Sequence, residues 1–388
     1  VLEEIVIATG LLLAAYLFAQ VASHAGVPPA AAIVLVGIAA GGMLPPTLEY
    51  SLTPPVLAFF LPALIFEGAW SIDAAALRRV AFAVALLAVP GVLLTALGIA
   101  GAGLLAGLAL PAALALGAIL SATDPVAVLA LFRTLNVPVD LLTLVEGESI
   151  ANDGVAVGLA QAVVSFTSAA GTPDPWNALA ALGYTSGAAV LAGVAVAAAV
   201  TPLLRRWQMP WVGILTTAAV AYGSYGIASF VHASGIFASA AAGIALPAFA
   251  LEKGERRAVD RFWDVTAVVA NGFVFLLVGL SVKFERIFDE PLLLGATLAA
   301  VVLTRVGLAF GLVPLAGSRV NAPGWRQITA LAGVRGGLSL ALALGLPYAF
   351  PLRAQIIDAV FAVVFATVVL QGWLLAPLVR RALAKSRA

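Results

Sequence analysis

Residues 146–154, Glu-Gly-Glu-Ser-Ile-Ala-Asn-Asp-Gly, place three carboxylates and an amide inside a stretch that is otherwise apolar from Leu141 to Phe166. A carboxylate at the centre of a membrane-spanning helix costs about 3 kcal/mol on insertion scales, so such residues usually face a partner or a water-filled path. On a helix, Ser149, Asn152 and Asp153 stand at i, i+3 and i+4, which aligns a hydroxyl, an amide oxygen and a carboxylate on one face. Hard oxygen ligands of this kind suit a small cation or a proton. Glu148 and Asn152 are also four residues apart, so Asn152 can bond Glu148 and leave Asp153 as the freer titrating group.

A second polar run, Ser121-Ala122-Thr123-Asp124-Pro125, interrupts another apolar segment. Pro125 lacks an N–H and pushes Asp124 out of the α region, so the helix should break there with carbonyls near Ser121 left unpaired. Such a break survives at membrane depth only where protein covers it or it lines a cavity. A simple proline kink would not need Thr123 and Asp124 beside it. Gly333-Val334-Arg335-Gly336-Gly337 is a matching weak point with a charge in it. Val80 to Asp124 is 44 residues and Leu292 to Arg335 is 43. Two interrupted spans at corresponding places in opposite halves point to an inverted-repeat transporter with its site between them.

Depth arithmetic pairs two further charges. Arg305 lies about 20 Å below the outer end of its span, and Glu148 about 12 Å from the inner end of its own, which brings them within one turn of each other. A Glu148–Arg305 ion pair would neutralise both and hold two helices together, with Arg335 as the competing partner. Glu67, in Leu61-Pro62-Ala63-Leu64-Ile65-Phe66-Glu67, falls about 10 Å from the inner face by the same count, facing either the ion path or the interface. Glu146 is open between a funnel charge and a solvated helix start. Asp73, Asp140, Asp174 and Asp264 fall at span ends, where caps and loop carboxylates are expected. His24 and His232 also sit at span ends, and are the only histidines.

These residues belong to a chain of 388 residues, 63% hydrophobic and 10% charged, with mean hydropathy +1.10. That composition is an all-α polytopic membrane protein and excludes a soluble domain, in which roughly a quarter of residues are charged. No cysteine is present, so disulfide and thiolate chemistry do not arise. Apolar windows of about 20 residues place about thirteen spans near 2–22, 27–44, 54–70, 80–106, 111–132, 140–166, 176–200, 211–229, 233–250, 264–282, 292–316, 325–348 and 356–379. Fifteen of the 20 Lys and Arg residues follow odd-numbered spans or lie in the tail, which sets the N-terminus outside and the C-terminus in the cytoplasm. Trp70, Trp176, Trp207, Trp211, Trp263 and Trp325 fall at span ends as an interfacial belt, and Trp373 reads as packing. Gly37 with Gly41, and Gly103 with Gly107, have the spacing of close helix contacts. Val1-Leu2-Glu3-Glu4 reads as the trimmed start of the first span, and a soluble domain could follow the basic tail.

The motifs Phe-Leu-Pro-Ala-Leu-Ile-Phe-Glu at 60–67, Ser-Ala-Thr-Asp-Pro-Val-Ala-Val at 121–128 and Glu-Gly-Glu-Ser-Ile-Ala-Asn-Asp-Gly at 146–154, with Gly333 to Gly337, are in a specific order and spacing. The chain resembles the monovalent cation:proton antiporter family, which includes bacterial NhaP-type sodium/proton antiporters and animal sodium/hydrogen exchangers. The resemblance implies that Asp153 binds cation and proton in turn, with Thr123, Ser149 and Glu67 near a sodium ion; Asp124, inside an interrupted span, is an ion-site candidate by position. Glu148, Asn152 and Arg305 form a supporting polar cluster on the same analogy. It further implies two inverted repeats whose interrupted helices cross near the midplane, in one domain over 1–388. Residues 1–79 and 211–282 would form a dimerising scaffold, 80–166 and 292–380 a moving core, and 176–200 the link. The expected partners are the transported ions, the lipid of a bacterial inner membrane and a second copy of the chain, with no cofactor and no nucleic acid.

Two other classes compete. An intramembrane aspartyl protease would use Asp124 and Asp153 sharing a proton, but Asp153 follows Ala-Asn rather than the Gly-x-Gly context of that class. A passive cation channel would also line a path with carboxylates. Channels favour rings of like residues from symmetric subunits, whereas this chain buries a single asymmetric cluster. Coupled, electroneutral exchange of one sodium (or lithium or potassium) ion for one proton is therefore the expectation, and an enzymatic role is not.

Overall fold

In lipid, each backbone N–H and C=O must be satisfied within the protein, and apolar runs of about 20 residues do so as helices. A computed structural model describes residues 2–24, 27–43, 46–124, 126–135, 137–168, 175–207, 209–250, 253–281, 289–317, 320–371 and 377–383. Among these residues there is no strand. The helices are α1 (Leu2–His24), α2 (Pro29–Gly41), α3 (Pro46–Ser71), α4 (Ala74–Leu105), α5 (Leu110–Ser121), α6 (Val126–Leu135), α7 (Val139–Ser168) and α8 (Pro175–Arg206). They continue as α9 (Pro210–Phe230), α10 (Gly235–Ala250), α11 (Lys253–Ser281), α12 (Pro291–Gly311), α13 (Trp325–Leu331), α14 (Gly337–Leu344) and α15 (Arg353–Ala366).

The chain is an integral membrane protein. Among the described residues, seven helices are long and apolar enough to cross a bilayer unaided, α1, α4, α7, α8, α9, α11 and α12. A count of thirteen requires the shorter helices and the paired halves of broken ones to complete the rest. Punctuation in the sequence accounts for several ends. Proline opens α2, α9 and α12 at their first turn, where its missing N–H costs no helical bond. Gly107, at φ +94°, closes α4, in a conformation that glycine adopts without strain. Gly107 is thus a turn residue with no helix contact among the described residues, whereas Gly103 does lie close to α5, where a Cβ would come 3.4 Å from the Ala113 Cβ. Inside α4, Pro90 is absorbed by a π turn over Leu87–Gly91, which supplies the extra residue needed to carry a proline within a helix.

Packing sorts the helices into two groups. α2 lies on α11 at backbone distance, since a Cβ on Gly37 would meet the Leu276 carbonyl oxygen at 2.5 Å and one on Gly41 the Leu280 oxygen at 2.8 Å. Small residues make that approach possible. α3 packs on α10 and α11, and α8 on α9 and α10, while α4 packs on α5, α7 and α12. The groups touch where α7 meets α3 and α10, and where Gly337 of α14 faces Val274 of α11.

Several expectations are corrected. α11 starts at Lys253, eleven residues before the expected span. The charged segment that precedes the apolar run is an amphipathic helical extension, with Val259 and Trp263 buried. Asp264 therefore lies within a helix, exposed, and caps nothing. Trp70 (3% exposed), Trp263 (1%) and Trp325 (6%) are internal rather than interfacial. Trp70 Nε1 donates to Asp260 Oδ1 at 2.8 Å, and Phe66 packs on Trp263 with centroids 4.8 Å apart. Trp207 and Trp211 are exposed, as an interfacial position requires. Trp373, Asp174, and the side chain of Trp176 lie outside the described residues. Asp73 does cap α4, accepting from the Ala76 N–H at 2.8 Å.

Candidate functional site

Two broken helices meet at the centre of the second group. α5 ends at Ser121 and α6 begins at Val126, while α13 ends at Leu331 and α14 begins at Gly337. Residues 122–124 and 333–336 are not helical. Pro125, expected to cause the first break, lies outside the described residues. The breaks are bonded to each other: the Asp124 N–H donates to the Val334 carbonyl at 2.8 Å, and Ser339 Oγ donates to the Ile119 carbonyl at 2.9 Å.

A broken helix exposes carbonyls at one end and N–H groups at the other, so each end attracts opposite charge. Arg335 answers the first end. Its Nη1 donates to the Ser121 carbonyl at 3.1 Å and to the Ala122 carbonyl at 2.9 Å. The carbonyls expected to be unpaired near Ser121 are therefore satisfied, and Arg335 is a cap rather than a partner of Glu148. Asp124 answers the second. Its carboxylate lies against Gly336 at the start of α14, and a Cβ on Gly336 would overlap it. Glycine is required there by space, since its φ of −147° is open to any residue.

The Glu148–Arg305 pair forms as the depth argument requires. Both terminal nitrogens of Arg305 donate to Glu148, Nη1 to Oε1 and Nη2 to Oε2 at 3.1 Å, a two-pronged geometry that fits a guanidinium to a carboxylate. Arg305 Nε also donates to the Thr329 carbonyl at 2.9 Å, in the last turn of α13. Both side chains are buried, at 6% and 2% exposure. Gly333 makes room for the Arg305 stem: a Cβ there would come within 2.7 Å of its Cγ and Cδ.

On α7, Asn152 Nδ2 donates to Glu148 Oε1 at 3.4 Å and to Thr123 Oγ1 at 3.3 Å, and Ser149 Oγ donates to the Thr123 carbonyl. Thr123 thus joins α7 to the first break through both its side chain and its main chain. Asp153 is 8% exposed, and its Oδ1 and the Asn152 Oδ1 have no hydrogen-bond partner among the described residues. Asp124 and Arg335 are charged neighbours of Asp153. Glu67 is half-buried on α3, next to Gly68, which packs against Ile150 of α7. Glu146 is buried rather than solvated, and accepts from Ser71 Oγ at 2.5 Å.

Sequence reasoning missed Ser71, Ser339 and Thr367, whose Oγ1 accepts from the Arg335 N–H at 3.2 Å. Hydroxyls in apolar helices return their proton to a carbonyl one turn back, as Thr367 does to Val364, so their presence carries little signal. The donors of the cluster are largely committed. Oxygen acceptors with the Asp153 carboxylate among them suit a hard cation or a proton.

The family model described as the transmembrane sodium/hydrogen exchanger matches residues 8–381. Similar proteins include the Na(+)/H(+) antiporter ApNhaP of Aphanothece halophytica, 36% identical over 82% of this chain and 62% of that one. The Na(+)/H(+) antiporter NhaP of Pseudomonas aeruginosa is 30% identical over 84% of this chain and 80% of the relative. The chain thus spans about 62% of the length of the first of these. Among solved structures, the sodium proton antiporter MjNhaP1 of Methanocaldococcus jannaschii shares the fold with a TM-score of 0.79 at 20% identity, over 98% of this chain and 99% of that one.

Proposed function

Because the chain belongs to the transmembrane sodium/hydrogen exchanger family, a family of transporters, we propose that it exchanges a monovalent cation for a proton across the membrane, with both ions competing for Asp153. The observation that carries this is the contrast between two buried carboxylates on one helix. Glu148 is balanced by Arg305, whereas one oxygen of Asp153 has no hydrogen-bond partner among the described residues. Asp153 is then the one carboxylate on that face of α7 open to take up and release an ion. Relatives named as Na(+)/H(+) antiporters favour sodium as the cation, with lithium and potassium as the alternatives.

In this mechanism Asp153 holds the sodium ion or the proton, and Thr123, Ser149 and Glu67 supply neighbouring oxygens. Asp124 and Arg335 hold the helix ends, and Asn152, Glu148 and Arg305 keep the cluster rigid. The loaded site is neutral with either ion, so exchange is electroneutral and one for one. Alternation would move 80–166 with 292–380 against a scaffold of 1–79 and 211–282, linked by 176–200. The grouping of α4, α5, α7 and α12 apart from α2, α3 and α11 supports that division. The working unit would be a homodimer in a bacterial inner membrane, N-terminus outside and C-terminus in the cytoplasm, with no cofactor beyond the transported ions.

A flux assay in reconstituted vesicles tests it. An outward sodium gradient should drive proton uptake against a proton gradient, with lithium and potassium compared in parallel. Sodium movement that never drives protons uphill would instead support a channel.

A further inference from the structure

Beside the ion pair lies a small, partly open cavity, walled by the π turn of α4 and by Thr95, Ser121, Thr123, Glu148, Asn152, Arg305 and Arg335. It has room for about one water molecule. Two of its walls carry buried polar atoms without a hydrogen-bond partner among the described residues, Asn152 Oδ1 and Arg335 Nε. Both residues are almost fully buried, at 2% and 1% exposure. A buried polar atom left unpaired is costly, and two residues that carry such atoms line this one cavity, which points to an occupant.

The chemistry of the two atoms restricts what it can be. Asn152 cannot present its nitrogen to the cavity, because Nδ2 already donates to Glu148 Oε1, an oxygen that can only accept while ionised. The occupant must therefore donate to Asn152 Oδ1 and accept from Arg335 Nε–H. A metal cation accepts nothing and would meet the guanidinium of Arg335. A halide ion donates nothing, so it would leave Asn152 Oδ1 unpaired. Water does both, and Ser121 Oγ, whose own proton goes to the Ala118 carbonyl at 2.7 Å, is a further acceptor for its second hydrogen. We propose that a single bound water bridges Asn152 Oδ1 and Arg335 Nε and is a fixed component of the crossing. It connects α7, beside Asp153, to the second helix break, and fixes the face that Asn152 turns to Glu148. This site is independent of which ion is transported.

The test is a cryo-EM map of the full chain in lipid nanodiscs, at a resolution that shows ordered water, recorded in sodium chloride and again in choline gluconate. The expected result is a density peak within hydrogen-bond reach of both atoms in both salts. A cavity without density, a direct Asn152–Arg335 hydrogen bond, or a peak present only in sodium chloride would each overturn the proposal, the last by identifying an ion. Thr95→Leu, which fills the cavity, should remove the peak and lower the melting temperature by several degrees. Thr95→Ser, which leaves room, should keep the peak. An unchanged melting temperature after loss of the peak would show that the water does not satisfy these groups.

Discussion

The main-chain N–H of Asp124 donates to the carbonyl of Val334 at 2.8 Å, so the two helix breaks are joined directly and the charged caps on either side act on one shared structure. Arg335 caps the carbonyl end of α5 and Asp124 stands at the N–H end of α14. Substitutions at this crossing should therefore be coupled to one another.

Gly336→Ala tests that coupling. Its Cβ would overlap the Asp124 carboxylate, and forced overpacking in a buried site costs about 1–3 kcal/mol. Thermal unfolding in detergent should show the loss, and Asp124→Gly in the same chain should recover part of it. Independent, additive losses would mean that Gly336 is not set by Asp124.

The ion pair should matter to stability, and unequally between its partners. Removing one member of a buried pair typically costs about 3–5 kcal/mol. Arg305→Ala also strips the donor from the Thr329 carbonyl, so it should lower the melting temperature more than Glu148→Ala does. The double variant should lose less than the sum of the two. A full sum would indicate that the two side chains do not interact.

Part of this arrangement was legible in the sequence and part was not. Charges inside apolar runs marked Glu148, Asp153, Arg305 and Arg335, and depth along a helix was enough to pair Glu148 with Arg305. Depth could not assign Arg335, because a sequence shows a buried cation but not which carbonyls a helix break will free. The aromatic belt failed at Trp70 and Trp263 because the charged residues 253–263 continue α11 instead of forming a loop, so the expected span end lies inside a helix. Glu146 was undecided because its partner Ser71 is 75 residues away. The π turn at Pro90 leaves no mark beyond the proline itself.

Competition at one carboxylate fixes the pH dependence. Acid should slow exchange by occupying Asp153 with protons, and alkali by leaving too few protons to return, which gives a bell-shaped profile. On the acid limb the apparent KM for sodium should rise by about tenfold per pH unit while the maximal rate holds. Thr123→Ala should raise KM at all pH values, since it removes a neutral oxygen and no charge. A KM independent of pH would mean that sodium and protons bind at different groups.

Neutral loading also predicts indifference to voltage. The membrane potential is worth about 2.3 kcal/mol per charge per 100 mV, and a site that returns as neutral as it went feels none of it. Proton flux in vesicles should be the same at zero and at a strongly inside-negative potential. A shifted endpoint would require a second titrating group in the cycle, with Glu67 or Asp124 as the candidates.

The most direct test is Asp153→Asn in reconstituted vesicles, with sodium-driven proton flux and melting temperature measured on the same preparation. The amide preserves volume and hydrogen bonding but cannot take up a proton or balance a cation, so flux should vanish while the melting temperature stays near that of the parent. Sodium-dependent proton flux retained by this variant would contradict the assignment of Asp153 as the shared site.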